Sequence, residues 1–131
     1  MAISRNEARR LSMVILYQIE IYKDRKIEYN VEDVIKENVE IKNDFINELV
    51  NGVIEHQVEI DELANKYMKD WTIDRIDKTG AAIMRIAIYE LKHTNTPEIV
   101  VINEALELAK NYSDDSVRKI INATLDKIIK E

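Results

Sequence analysis

The sequence predicts an all-α domain, a compact bundle of six to seven helices in two sub-bundles. Three observations carry that expectation. Apolar residues recur at helical spacing through most of the chain, and the strict alternation of strands is missing. Two glycines, one proline and no cysteine in 131 residues leave little material for a β-sandwich, a glycine-rich phosphate loop or a disulfide scaffold. Ser, Asn and Asp also stand where helices are expected to begin. The length suits a single domain over residues 1–131. A composition of 46% hydrophobic and 34% charged residues argues against disorder. No apolar run approaches the roughly 18 residues of a membrane span, and no signal-peptide stretch opens the chain. A cytoplasmic protein without a membrane partner is expected.

Ser4 and Glu7 have the spacing of a capping box, so a helix from about 5 to 22 should follow. Ala8, Leu11, Ile15, Ile19 and Tyr22 form its apolar stripe, and Val14, Leu16, Tyr17 and Ile21 widen it almost all round. So apolar a helix belongs among neighbours, with only its first turns, bearing Arg5, Arg9 and Arg10, in solvent. Asn30 can cap a short second helix with Val31, Val34 and Ile35. Asn43 can cap a long third helix, in which Ile46 through Tyr67 keep one helical phase; a kink between Gly52 and Glu59 is left open. Trp71 and Thr72 mark a turn, Ile73 to Ile76 a helical turn, and a helix of about 77–93 carries Ile83 to Leu91. Pro97 interrupts the pattern. Ile99, Val100 and Val101 read as a buried connector into a helix whose apolar face is Ile102, Ala105, Leu106 and Ala109. Ser113 or Asp114 can cap the last helix, with Val117, Ile120, Ile121, Thr124 and Ile128 inward. The last three helices should close around Trp71.

Charge is uneven along the chain. The formal net charge is −6, yet residues 1–27 sum to +3, residues 28–62 to −9, and the remainder balances. A basic end therefore coexists with an acidic middle that repels phosphate.

No catalytic constellation is apparent. His56 and His93 lie 37 residues apart, neither has a second histidine or paired carboxylates at a helical metal-ligand spacing, and each reads as a surface residue; no metal or cofactor is expected. Ser12, Ser113 and Ser116 have no histidine nearby in sequence to activate them. Glu104 and Glu107 lack the Glu-x-x-His partners of a di-iron bundle. Arg85, set among Ile83, Met84 and Ile86, needs a counter-charge, and Glu104 is the expected one.

Three stretches, taken in order, resemble the NusB family of transcription antitermination factors. They are Ala8-Arg9-Arg10 running into Val14-Ile15-Leu16-Tyr17, then Trp71 to Arg75 with Ile83 to Leu91, then Pro97 with Val101 to Lys110, Ile121-Asn122 and Leu125-Asp126. The resemblance implies two helical sub-bundles and a non-enzymatic function. The implied factor pairs with the ribosomal small-subunit protein NusE, binds boxA-type single-stranded RNA, and joins other Nus factors on RNA polymerase. It implies phosphate contacts from Arg5, Arg9 and Arg10, and a second patch at Arg118 and Lys119. Tyr17 is an RNA-facing candidate, although so apolar a helix favours a core place for it. Ile120 stands where the family usually has an RNA-contacting phenylalanine, and isoleucine has no ring to stack. Such a change leaves a protein–protein scaffold of the same fold as the competing reading. Similar helical domains also precede some ribosomal RNA methylases, but no glycine-rich methyl-donor unit is present here. A monomer and a homodimer are both compatible with the sequence.

Overall fold

In a computed structural model that describes residues 2–131, the described residues form seven helices and no strand. They are α1 (Arg5–Asp24), α2 (Val31–Asn38), α3 (Asp44–Glu55), α4 (Gln57–Tyr67), α5 (Lys78–His93), α6 (Glu98–Tyr112) and α7 (Asp115–Lys130). Local chemistry sets most of the starts. Ser4, Asn30, Asn43, Asp77 and Asp114 each accept a hydrogen bond from the backbone N–H three residues on. Only half of the expected capping box forms at α1, because the Glu7 carboxylate turns forward to Arg10. At the other end of α1, Lys26 takes φ 56° and the Ile27 N–H reaches back to the Tyr22 carbonyl at 2.9 Å, closing the helix.

Helix α5 is the axis of the molecule. Every residue from Gly80 to Glu90 is buried, so this helix must be covered on all sides. Helices α1 and α3 pack against it in one group, with α2 resting on α1. Helices α6 and α7 pack against it in the other, and α4 touches both α5 and α7. The two sub-bundles thus share α5, and their apolar side chains join in one core. Among the described residues, no buried side-chain nitrogen or oxygen lacks a hydrogen-bond partner. Nor is any helix among them long and apolar enough to cross a membrane.

Four local expectations are corrected. The long third helix is two helices, α3 and α4, joined at His56 (φ −104°, ψ 14°). The turn keeps α3 on α1 while α4 swings to α7. The spacing of seven from Val53 to Ile60 preserves the apolar phase across the break, which hides it from a periodicity argument. Ile99 and Val100 are not a buried connector but the exposed first turn of α6, and only Val101 of the three is buried. The buried face of α6 is accordingly Val101, Ala105, Leu108 and Ala109, with Ile102 and Leu106 at its margin. Trp71 is 41% exposed and stacks beneath Arg75, so the second sub-bundle closes around Ile73, Ile76 and α5 instead. Arg85 does not reach Glu104. It forks onto both oxygens of Asp61 on α4 (2.8 and 3.0 Å) and lies 3.7 Å from Glu20 on α1.

Gly52 marks the closest approach of α3 to α5. A β-carbon there would collide with the hydroxyl-bearing edge of the Tyr89 ring, whose hydroxyl donates to Glu48. Alanine is the better helix former by about 1 kcal/mol, so propensity alone says that Gly52→Ala stabilises. Overpacking costs about 1–3 kcal/mol and should reverse the sign. Urea unfolding is expected to show Gly52→Ala less stable than the parent, and an equal or greater midpoint would disprove this account of the contact.

Candidate nucleic-acid interface

The amino end of α1 carries the three arginines on which a phosphate-binding reading depends. They do not act alike. Arg9 is 3% exposed and forks onto Glu90 of α5, Nε to Oε1 at 2.6 Å and Nη2 to Oε2 at 2.9 Å; Nη1 donates to Asn6 at 3.2 Å. This guanidinium is sealed and its charge is cancelled, so the expectation that Arg9 meets phosphate is corrected: it is a structural cation. Arg5, one turn earlier on the same face, is exposed and lies 4.2 Å above the Phe45 ring of α3. It lines a groove of ≈ 670 Å³ with Thr94, Asn95 and Pro97 of the α5–α6 connection.

Arg10 turns the other way. Its guanidinium binds both oxygens of Glu7 and lies beside the phenol of Tyr112, the last residue of α6. The hydrogen bond from Arg10 holds the Glu7 carboxyl below its ordinary range, and the same bond holds the Arg10 guanidinium above its own. Tyr112 is 47% exposed. Directly after it, the Ser113 hydroxyl donates to Asp77 at 3.0 Å, which ties the α6–α7 turn to the start of α5. Lys78 follows at the first turn of α5, paired with Asp24 and near Tyr17. Tyr17 itself is 41% exposed, so its expected place in the core is corrected. It stands seven residues from Arg10, on the same stripe of α1.

The second expected patch opens α7. Arg118 and Lys119 both reach Asp115, at 2.6 and 3.4 Å, and this holds the Asp115 carboxyl below its ordinary range. Ile120 is half-buried against the core. The structure therefore brings Arg10, Tyr112, Lys78 and Tyr17 to one exposed side, beside the turn that leads to Arg118 and Lys119. Arg5 and Arg9 belong to a different face. Tyr112 and Lys78 were not singled out by sequence. The available signal was position: an aromatic just before a cap, and a lysine just after one.

A second grouping escaped the sequence altogether. His56 and His93, far apart in the chain, stack ring on ring with centroids 4.0 Å apart, and a Glu59 oxygen lies 3.3 Å from the His56 Nδ1.

Comparison with known proteins bears on the family and the fold. A family model described as the NusB family matches residues 6–130. The transcription antitermination protein NusB of Staphylococcus aureus is 42% identical over 129 residues, covering 97% of this chain and 99% of that protein. Among solved structures, T. maritima NusB superposes with a TM-score of 0.85 at 28% identity, covering 100% of this chain and 94% of the other. A crystal structure of the antitermination factors NusB and NusE in complex with dsRNA matches with a TM-score of 0.80 at 28% identity, over 96% of each chain.

Two measurements separate the structural cation from the surface one. Removing one partner of a buried ion pair strands the other, at about 3–5 kcal/mol. Glu90→Gln should lose about that much in chemical denaturation, and the double variant Arg9→Met/Glu90→Leu should recover most of it. A single-variant loss under about 1 kcal/mol would mean the pair behaves as a solvated one. For Glu7 the lowered pKa belongs to the folded state. Its contribution to stability is therefore present above the ordinary carboxylate value and fades as pH falls through the lowered one. Arg10→Gln should raise the Glu7 titration, followed by NMR, back toward the ordinary glutamate range.

Proposed function

The chain belongs to the NusB family, and from that premise we propose that it is a transcription antitermination factor acting as a single RNA-binding domain over residues 1–131. It pairs with the ribosomal protein NusE, binds boxA-type single-stranded RNA in nascent transcripts, and with other Nus factors helps RNA polymerase resist termination. It works by binding rather than by catalysis, and in the cytoplasm, where transcripts emerge. The observation that carries this reading is the likeness, along nearly the whole of both chains, to a NusB solved together with NusE and dsRNA.

The RNA face we assign is Arg10, Tyr17, Arg118 and Lys119, extended by Tyr112 and Lys78. Arg10, Arg118 and Lys119 sit in exposed or half-exposed pairs with Glu7 and Asp115. Such pairs are worth only about 0–1 kcal/mol, so a phosphate displaces the carboxylate at little cost. Tyr112 and Tyr17 offer the rings that Ile120 lacks, and base stacking contributes about 1–3 kcal/mol per ring. Arg5 contributes at most from the neighbouring groove, since its guanidinium already covers Phe45. The protein's acidity favours weak binding alone and tighter binding with a basic partner.

The test is a titration of boxA RNA, with and without NusE, at two salt concentrations. A scrambled strand and a boxA duplex serve as controls. Affinity should rise with NusE and fall with salt. Arg10→Glu should weaken binding about tenfold or more and flatten the salt slope by about 0.7 per lost phosphate contact. Tyr112→Ala should weaken it with the slope unchanged. Equal affinity for boxA and the scrambled strand, with NusE present, would instead make the chain a protein–protein scaffold.

A further inference from the structure

His93 is the last residue of α5, His56 is the junction between α3 and α4, and Glu59 lies in the first turn of α4. The fold converges these three elements so that one ligand atom from each residue lies within 4.8 Å of the others. The arrangement is supported from below. The rings of His56, His93 and Tyr89 form a three-membered cluster, with centroids 4.0 Å apart for His56–His93, 5.2 Å for Tyr89–His93 and 6.2 Å for His56–Tyr89. Tyr89 is in turn pressed against the bare backbone of Gly52 and tied to Glu48. Among the described residues, no side chain hydrogen-bonds to the His93 ring, although His56 already faces a carboxylate. The nearest lysine on α5, Lys92, is drawn aside to Glu131 at 3.1 Å, as is Lys66 of α4 at 3.7 Å. Two imidazoles and a carboxylate are thus left together with no ammonium bound among them.

We propose that His56, Glu59 and His93 form a binding site for a divalent first-row transition ion of the zinc type. Two imidazoles with one carboxylate suit zinc, cobalt and nickel better than magnesium or calcium. A tetrahedral ion with bonds of about 2.0–2.1 Å needs its ligand atoms roughly 3.4 Å apart, so these side chains must close by about 1 Å or a little more. Rotation about the side-chain bonds of the exposed His93 and Glu59 supplies that movement, and water takes the fourth position. Occupancy fastens the α3–α4 junction to the end of α5. It also stiffens the wall at His93 between the ≈ 670 Å³ groove beside Arg5 and a second groove of ≈ 540 Å³ along α4. The site lies apart from the face that carries Arg10 and Tyr112, so it stands or falls independently of RNA binding.

The experiment is a cobalt(II) titration of the full chain followed by its visible absorption, with zinc as competitor. One equivalent should bind with the strong band of four-coordinate cobalt, zinc should abolish the band, and zinc should raise Tm. His93→Ala and His56→Ala should each weaken binding about tenfold or more, and Glu59→Gln should weaken it measurably. Circular dichroism and Tm without metal report whether each variant folds, and His93→Gln or His56→Gln replaces the alanine variant at the same position where that one does not. Cobalt that stays six-coordinate and unbound at equimolar protein overturns the proposal. So does uptake undiminished in a folded His93 variant.

Discussion

The two-pronged contact between Arg9 and Glu90 decides how the rest of the surface is presented. A bidentate guanidinium–carboxylate pair fixes orientation as well as distance. Because Glu90 stands on the buried α5, α1 cannot roll about its own axis without breaking that fork. Successive residues of a helix are turned by about 100°, so locking Arg9 inward also directs Arg10 toward Tyr112. It leaves Arg5 one turn back, over Phe45. One arginine is consumed inside the protein, and its neighbour is thereby aimed outward.

The ion pairs of α5 are better understood as alignment than as a source of stability. A buried pair gains little over apolar residues of the same size, because both charges must leave water. The weight of the fold rests on the apolar side chains of α5, buried from Gly80 onward and covered by five other helices. Apolar burial has no preferred angle, however, and helices can slide or rotate within it at modest cost. Arg85, reaching Asp61 on α4 and Glu20 on α1, and Glu90, reaching Arg9, supply the missing directions from one helix. Two charged residues of α5, through three ion pairs, therefore index α1 and α4 against the same axis.

The sequence was informative wherever the physics is local. Ser4, Asn30, Asn43 and Asp114 cap helices because the acceptor and the N–H that it satisfies are three residues apart. The all-α architecture follows from periodicity for the same reason. Partners across the fold are another matter. Arg9 and Glu90 are separated by 81 residues and Arg85 and Asp61 by 24, and nothing in spacing tells a paired arginine from a free one. Glu104 was the plausible counter-charge for Arg85 by proximity in pattern, yet it lies across α5, lining the small gap beside Arg9. Tyr17 misled for a related reason. Flanking apolar residues bury a helix on most sides, but a single exposed stripe is enough to release one ring. The His56–His93 stack depends on a helix break that an uninterrupted apolar phase conceals.

The distribution of charge explains how so acidic a chain can still offer a face to RNA. The −9 of residues 28–62 is carried on α2, α3 and α4 and their connections, whereas Arg10, Lys78, Arg118 and Lys119 open α1, α5 and α7. Screening confines the influence of an exposed charge to about 8–10 Å at physiological salt, so each cation responds mainly to the carboxylates beside it. The cations of the proposed RNA face are held by Glu7, Asp24 and Asp115. Those carboxylates lower the intrinsic attraction for phosphate and leave the free protein a weak ligand for any polyanion. On the proposed face a sequence-selective factor would benefit from that weakness, because contacts that must displace a carboxylate would add up only where stacking on Tyr112 and Tyr17, and a partner, engage the same strand.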